Sequence, residues 1–483
     1  MIKQYMTRPQ GSIILLHTQV VLSTTSDSTS KLKLNMTEGR SSPALLSDDF
    51  YEPFLSKLAK NRQPDRIRVL IPLESRPGLI SFLAGKPNPE MFPLTSLSFT
   101  ARDPQDPSKE IPIDLTPEEL KVALQYNYTD GVPALRDWIH ELQEHVHKRK
   151  KDESWKVSIG AGSQDLIYKA ITALVNPGDP VLVETPAYGG TIPMFTTLGC
   201  DISEVETDAE GLSSQSLRKI LEEWPASKPK PKVLYTVPYG CNPTGITTTT
   251  ERRLEVLKLA REHNFLILED DPYYFLYYGA APRPPSYFEL DGSQPEVGRV
   301  IRFDSFSKML SSGFRLGFVS GPTYLIAAMD LHSSTANLQP SSLSQIVALS
   351  ILKRWGLSGF LKHGDTVAEF YKQKRDKFEA AMKKHLSGLA EWDTPKAGMF
   401  FWFKILLPEG PDQHDSEPLI TTKAFEKGVL AIPGTVFLPN AGKSPYVRVS
   451  FSLLGEEDID EALKRLKEAI LELKAEAKAS STS

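Results

Sequence analysis

From residue 157 onward, short apolar runs alternate with stretches whose apolar positions recur every three or four residues. This is the pattern of buried strands separated by amphipathic helices. Runs at 157–159, 181–184, 233–237, 265–268 and 300–303 read as strands, 316–321 as a returning strand, and 165–175 and 251–263 as helices. Such an alternation predicts an α/β fold on a mostly parallel sheet, which binds its ligands at the carboxyl ends of the strands. Ahead of the sheet, 49–59 reads as a helix with Ser47 or Asp48 at its N-cap. The run 80–83 reads as a short strand entering a turn rich in glycine and proline, and Thr116-Pro117-Glu118-Glu119 as a capped helix start. A further helix after Gly131 carries its apolar face on Trp138, Ile139, Leu142 and Val146. Beyond the sheet, a long helical stretch over 323–386 breaks near Pro340 and at 356–359. It leads to strands at 397–403 and 446–451 and a closing amphipathic helix over 456–474, which together predict a second domain.

Composition narrows the classes. A chain of 483 residues, 40% hydrophobic and 24% charged, can bury more than one core. Its net charge of -4 provides no electrostatic footprint for nucleic acid or an anionic membrane, and no apolar run reaches bilayer length. Cys200 and Cys241 are too few for a disulfide framework and lack metal-ligand spacing, so no metal is expected and the compartment is read as reducing and cytoplasmic. Residues 1–35 hold Lys3, Arg8, Lys31 and Lys33 against Asp27 amid serines and threonines. They read as a disordered extension, with a mitochondrial transit peptide or a natural start at Met36 as the other readings.

The chemistry gathers at the predicted strand ends. Lys308 stands beside Ser305 and Ser307, with Arg315 seven residues on. Lysine forms Schiff bases, and hydroxyls with a guanidinium suit a phosphate, so this stretch suits a phosphorylated aldehyde. The commoner role of a lysine beside serines is a solvated loop. Gly160 to Gln164 forms a glycine-rich turn into a helix, where backbone N–H groups can cradle phosphate. Tyr188 follows one strand and can stack on a flat ring, while Asn242 sits in an Asn-Pro turn after another. Asp270 and Tyr273 end a third strand; the alternative for them is a surface turn. Arg448 lies within an apolar strand and needs a carboxylate partner from protein or substrate. Tyr126 is either a packing residue or a polar tip aimed at a site.

Taken together and in order, Gly162-Ser163-Gln164, Pro186-Ala187-Tyr188, Asn242-Pro243-Thr244-Gly245, Asp270-Asp271-Pro272-Tyr273, Ser305-Phe306-Ser307-Lys308, Arg315 and Tyr446-Val447-Arg448 resemble the class I pyridoxal-phosphate aminotransferases, over roughly residues 48–475. The turn from Leu83-Ala84-Gly85 to Phe92-Pro93, the Asp-Asp-Pro-Tyr-Tyr run and the Ser-Phe-Ser-Lys run are similar to the aromatic-amino-acid and kynurenine/α-aminoadipate branch.

The resemblance implies fold type I: a large domain with a mostly parallel seven-stranded sheet between helices, plus a smaller α+β domain. It implies an N-terminal arm and substrate-side segment over 37–114, a large cofactor-binding domain over 115–355 and a small domain over 356–483, after a disordered extension over 1–36. Lys308, Asp270 and Tyr188 would form the catalytic set on pyridoxal 5'-phosphate. Lys308 would hold the cofactor and move the proton of substrate Cα, Asp270 would face the ring nitrogen, and Tyr188 would stack on the ring. Asn242 and Tyr273 would bond the ring hydroxyl. Ser163, Gln164, Ser305, Ser307 and Arg315 would hold the phosphate, joined by Tyr126 of a second copy in a homodimer with shared sites. Arg448 and Asn242 would take the substrate carboxylate, with Gly85 and Arg68 near its side chain. The implied reaction moves an amino group from an aromatic L-amino acid, kynurenine or 2-aminoadipate to a 2-oxo acid such as 2-oxoglutarate. Lys86 stands where many relatives have glycine, which leaves side-chain specificity open. A carbon–sulfur lyase or decarboxylase on the same fold is the nearest alternative. An aminotransferase-like regulator would need a basic DNA-binding module that residues 1–50 lack.

Overall fold

The computed structural model describes residues 43–83, 85–409 and 413–481. The expected extension over 1–36, with its transit-peptide and Met36 readings, lies outside the described residues. The central layer is an eight-stranded sheet of β1 Trp155–Gly160, β2 Pro180–Thr185, β3 Asp201–Asp208, β4 Gly211–Leu212, β5 Val233–Thr236, β6 Leu266–Asp271, β7 Val300–Ser305 and β8 Gly317–Pro322. Their order is β1-β8-β7-β6-β5-β2-β3-β4. The five strands from β7 to β3 are parallel, and β8 runs antiparallel to both β7 and β1. The carboxyl ends of β1, β2, β5, β6 and β7 therefore share one edge.

Seven strands were expected; the eighth is β4, two residues folded back on β3. Neither stands out in the sequence, because β3 carries Asp201, Glu204, Glu206 and Asp208 and is only partly buried. By contrast β5 and β6 are buried throughout, which is why they read as continuous apolar runs. One core, with Leu135, Ile139, Leu142 and Ile267, covers one face of the sheet. A second, with Ile167, Ala170, Leu268 and Leu325, covers the other.

A smaller antiparallel sheet of β9 Ala390–Trp392, β10 Phe400–Ile405, β11 Ile432–Pro433 and β12 Tyr446–Ser450 has the order β9-β10-β12-β11. The helix Glu456–Ser481 closes its core through Ile459, Leu463 and Leu466. The approach to it is the helix Ser342–Leu386, interrupted at Gly356, whose φ of 64° is open to glycine.

Two sequence expectations change. The helix over 49–59 divides into Asp48–Tyr51, Glu52–Phe54 and Lys57–Asn61, since Pro53 has no N–H to continue the first turn and Ser56 starts a new one by accepting from Ala59 N at 3.0 Å. Residues 80–83 form no strand, because no neighbouring strand pairs with them. The Thr116–Glu119 capping box forms as expected. Among the described residues, no helix is long and apolar enough to cross a membrane.

Candidate active site

β6 ends in two acids that strand alternation sends to opposite faces of the sheet. Asp271 joins Glu269 and Asp304 around the fully buried Arg302, with Nη2 2.8 Å from Asp271 Oδ2 and 2.7 Å from Asp304 Oδ1. Asp270 points to the other face. Its Oδ2 accepts from the Tyr235 hydroxyl at 2.7 Å, while its buried Oδ1 has no partner. Burial pushes this carboxyl up to about 7, against the opposing hydrogen bond from Tyr235.

β7 carries the next group. Past Ser305 the chain tightens into the turn Phe306–Lys308, where Ser305 Oγ accepts from Ser307 N at 3.2 Å. The Lys308 amine makes no hydrogen bond or ion pair to another described residue. Burial, and then the neighbouring Arg315, lower its pKa.

A cup forms where β1 enters the helix Ser163–Leu174. Gly162 takes a φ of 93° ahead of it, and a Cβ there would lie 2.6 Å from Arg315 Nη2. Across the cup, a Cβ at Gly317 would lie 2.6 Å from Ser163 N. Arg315 is placed by Nη1 at 3.5 Å from Ser307 Oγ and Nη2 at 3.3 Å from the Ala161 carbonyl. Gln164 Nε2 donates to the Gly190 carbonyl at 2.9 Å, joining the cup to the turn that bears Tyr188.

The small domain closes the other side. Arg448, on β12, donates Nη1 to Asn242 Oδ1 at 3.0 Å. Its guanidinium lies 4.4 Å from the Phe400 ring centre and 5.2 Å from that of Phe437, and burial lowers its pKa. Arg448 Nε is buried without a partner. Tyr273 meets Phe400 edge-on at 6.3 Å, and burial, then Asp270, push its hydroxyl up. The Phe437 carbonyl accepts from Ala187 N at 2.8 Å, tying this domain to the Tyr188 turn.

Three expected residues stand apart. Arg68 donates to Thr129 Oγ1 at 2.9 Å and to the Asn127 carbonyl at 3.4 Å. Gly85 is exposed with open space where a Cβ would be, and Tyr126 is largely exposed. Sequence reasoning missed Tyr235, Phe400 and Phe437. A polar-tipped tyrosine inside the apolar run of β5 was a usable signal, since its hydroxyl needs a buried partner.

These groups fit pyridoxal phosphate. The orphaned Asp270 Oδ1 suits a protonated ring nitrogen, the unpartnered Lys308 amine suits an aldehyde, and the glycine-lined cup with Arg315 suits a phosphate.

Fold and site together define a fold type I aminotransferase. Residues 109–466 match the family aminotransferase class I and II, and the chain belongs to it. Aminotransferase tdiD of Emericella nidulans is 44% identical over 86% of this chain and 94% of its own length. The mitochondrial kynurenine/alpha-aminoadipate aminotransferase of Bos taurus is 40% identical over 87% and 99%. Among solved structures, the aromatic aminotransferase Aro9 of Candida albicans aligns with a TM-score of 0.77 at 27% identity, covering 88% of this chain and 98% of its own. The family implies pyridoxal phosphate and amino-acid and oxo-acid substrates.

Proposed function

We propose that the protein transfers the amino group of an aromatic L-amino acid, with kynurenine and 2-aminoadipate as further candidates, to a 2-oxo acid such as 2-oxoglutarate, using pyridoxal 5'-phosphate. The observation that carries this reading is the buried, unpartnered Asp270 Oδ1 at the same sheet edge as the unpartnered Lys308 amine. When bound, the cofactor supplies a cationic ring that accepts electron density from substrate Cα. Asp270 holds the proton on the ring nitrogen. Lys308 Nζ, made less basic by burial, would move the proton from substrate Cα to the cofactor's C4′. Ser163, Gln164, Ser305, Ser307, Arg315 and the backbone at the start of the helix Ser163–Leu174 hold the phosphate. Asn242 offers its amide Nδ2 to the ring hydroxyl beside Tyr273, because its Oδ1 is taken by Arg448. The free Nε of Arg448 binds the substrate carboxylate, and Tyr188, Phe400 and Phe437 exclude water around it.

The kynurenine and aromatic relatives support the aromatic preference. A homodimer is supported by the arm, where Ile80 is 85%, Phe82 99% and Met91 81% exposed, apolar side chains that a second copy would cover. In it Tyr126 reaches the phosphate of the second copy, and the segment with Arg68 and Gly85 lies near the substrate side chain. The free thiols Cys200 and Cys241 support a cytoplasmic site, which fractionation against the mitochondrial alternative tests.

The test adds single amino acids to cofactor-loaded protein without oxo acid and follows the visible absorbance. Conversion by phenylalanine, tyrosine, tryptophan or kynurenine that 2-oxoglutarate reverses is the expected result. Ammonia release without an acceptor would point instead to a lyase.

A further inference from the structure

Behind Asp270 runs a chain of two hydroxyls that the roles above do not use. Thr191 Oγ1 donates to the Tyr235 hydroxyl at 2.9 Å, and that hydroxyl donates to Asp270 Oδ2 at 2.7 Å. The three residues are 1%, 1% and 3% exposed, so no water competes for these bonds. Register explains the contact. Tyr235 on β5 pairs with Leu268 on β6, which puts it on the same face as Leu268 and as Asp270 two residues further on. Phe195 packs edge-on against the Tyr235 ring at 6.3 Å and keeps the hydroxyl from swinging away. A phenol has a single proton. Here it goes to the carboxylate, and the threonine satisfies a phenol lone pair, so the bonds run in one direction and polarise each other.

We propose that Tyr235 and Thr191 are positioning residues, which hold Asp270 ionised and orient its carboxylate so that Oδ1 meets the ring nitrogen of the cofactor. This rests on the cofactor placement proposed above. The groups facing Asp270 leave few substitutes. Arg302, on the opposite face of the sheet, favours the charge, while Asp304 opposes it. Tyr188, Tyr273 and Cys241 are neutral neighbours that a charged Asp270 disfavours ionising. Among the described residues, Tyr235 is the one side chain that donates a hydrogen bond to the Asp270 carboxylate. Burial raises this carboxyl, and the Tyr235 bond is the largest influence opposing the rise. An Asp270 that took up a proton would no longer keep the ring nitrogen charged.

The experiment loads pyridoxal phosphate onto the full-length protein and its variants. It measures the dissociation constant and the pH midpoint of the bound cofactor's visible absorbance, which rises as the ring nitrogen loses positive charge. Tyr235→Phe is expected to weaken cofactor binding about tenfold and to raise the midpoint. Thr191→Val is expected to move both in the same direction by less. Tyr239→Phe removes another buried phenol bond, to the Pro284 carbonyl, and is expected to change neither readout. Cofactor-bearing Tyr235→Phe and Thr191→Val proteins with the unmodified affinity and midpoint would overturn the relay and leave the cofactor placement standing. If Tyr235→Phe does not fold, Thr191→Val decides by the same criterion. Unmodified protein that takes up no cofactor would overturn the placement and the relay with it.

Discussion

Arg448 Nη1 lies 3.0 Å from Asn242 Oδ1, a hydrogen bond that joins an inner strand of the small sheet to the turn after β5 in the large one. The bond occupies one end of the guanidinium, and the Phe400 and Phe437 rings hold its plane. What remains is a buried Nε with no partner, suited to an incoming carboxylate.

Arg448→Lys retains the charge and loses both the fork and the bond to Asn242. Hydrogen bonds to charged groups contribute about 1.5–3 kcal/mol, so KM for the amino acid is expected to rise roughly 10- to 100-fold. The cofactor should still bind, since Lys308 and the phosphate cup around Arg315 are untouched. A lysine variant with unaltered KM would remove Arg448 from carboxylate binding.

Among the described residues Lys308 has no hydrogen-bond or ion-pair partner to explain its placement, so its replacement should affect chemistry far more than folding. Lys308→Ala is expected to lose at least about a thousandfold in turnover, to keep its thermal midpoint, and to give no covalent adduct after borohydride reduction. Mass mapping of the reduced unmodified protein should place the adduct on Lys308. An adduct on another lysine would refute the assignment.

Gly317 tests the cup sterically. A Cβ there would lie 2.6 Å from Ser163 N and 2.8 Å from the Asp304 carbonyl, both backbone atoms that a side-chain rotation cannot relieve. Gly317→Ala is therefore expected to weaken cofactor binding by about tenfold or more, read by dialysis against free cofactor. An alanine variant that retains cofactor like the unmodified protein would show that the cup tolerates displacement.

The strand ends were legible because buried parallel strands leave continuous apolar runs, and the chemistry follows each run within about five residues, as Asp270 and Lys308 do. Residues adjacent in sequence proved harder. Asp270 and Asp271 look alike on the page, yet alternation sends one toward the site and the other to Arg302. Tyr235 gives no signal of its partner, because Asp270 lies on the neighbouring strand and only register brings the two together. β3 leaves no apolar run because four acids interrupt it next to the short edge strand β4, and 80–83 resembles a strand only because apolar residues on an exposed arm share its composition while having no sheet to join. Arg68, Gly85 and Tyr126 carry no local signal of what faces them.

Arg302 is the cation at the centre of three buried carboxylates, Glu269, Asp271 and Asp304. Glu269 is held further by Tyr287 N at 2.8 Å and Phe288 N at 3.0 Å, and Asp304 by Gln143 Nε2 at 3.1 Å. Arg302→Met leaves these acids uncompensated and is expected to cost about 3–5 kcal/mol in denaturant unfolding. A loss under about 1 kcal/mol would mean that the acids take up protons and the cluster does not depend on the arginine.

Asp270 links the site to pH, and the sign can be worked out for cofactor-free protein. In the unfolded chain its carboxyl titrates near 4, whereas in the folded protein burial raises it to about 7. Between these values the folded state keeps a proton that the unfolded state has released. The stabilisation this supplies is complete below about pH 4 and is lost as pH rises through about 7, at up to roughly 1.4 kcal/mol per unit. Asp271 and Glu184, also raised to about 7, behave alike but are present in both proteins of the comparison. Asp270→Asn does not titrate, so the stability of the unmodified protein relative to the variant should decline from about pH 4 to 7 and level off above. Bound cofactor reverses the preference, because a protonated ring nitrogen at Oδ1 favours the carboxylate, and loaded protein should lose most of that slope. Urea unfolding of both proteins, with and without cofactor, reads the difference. Parallel curves for the cofactor-free pair would mean that Asp270 is already ionised in the empty site and would contradict the raised pKa.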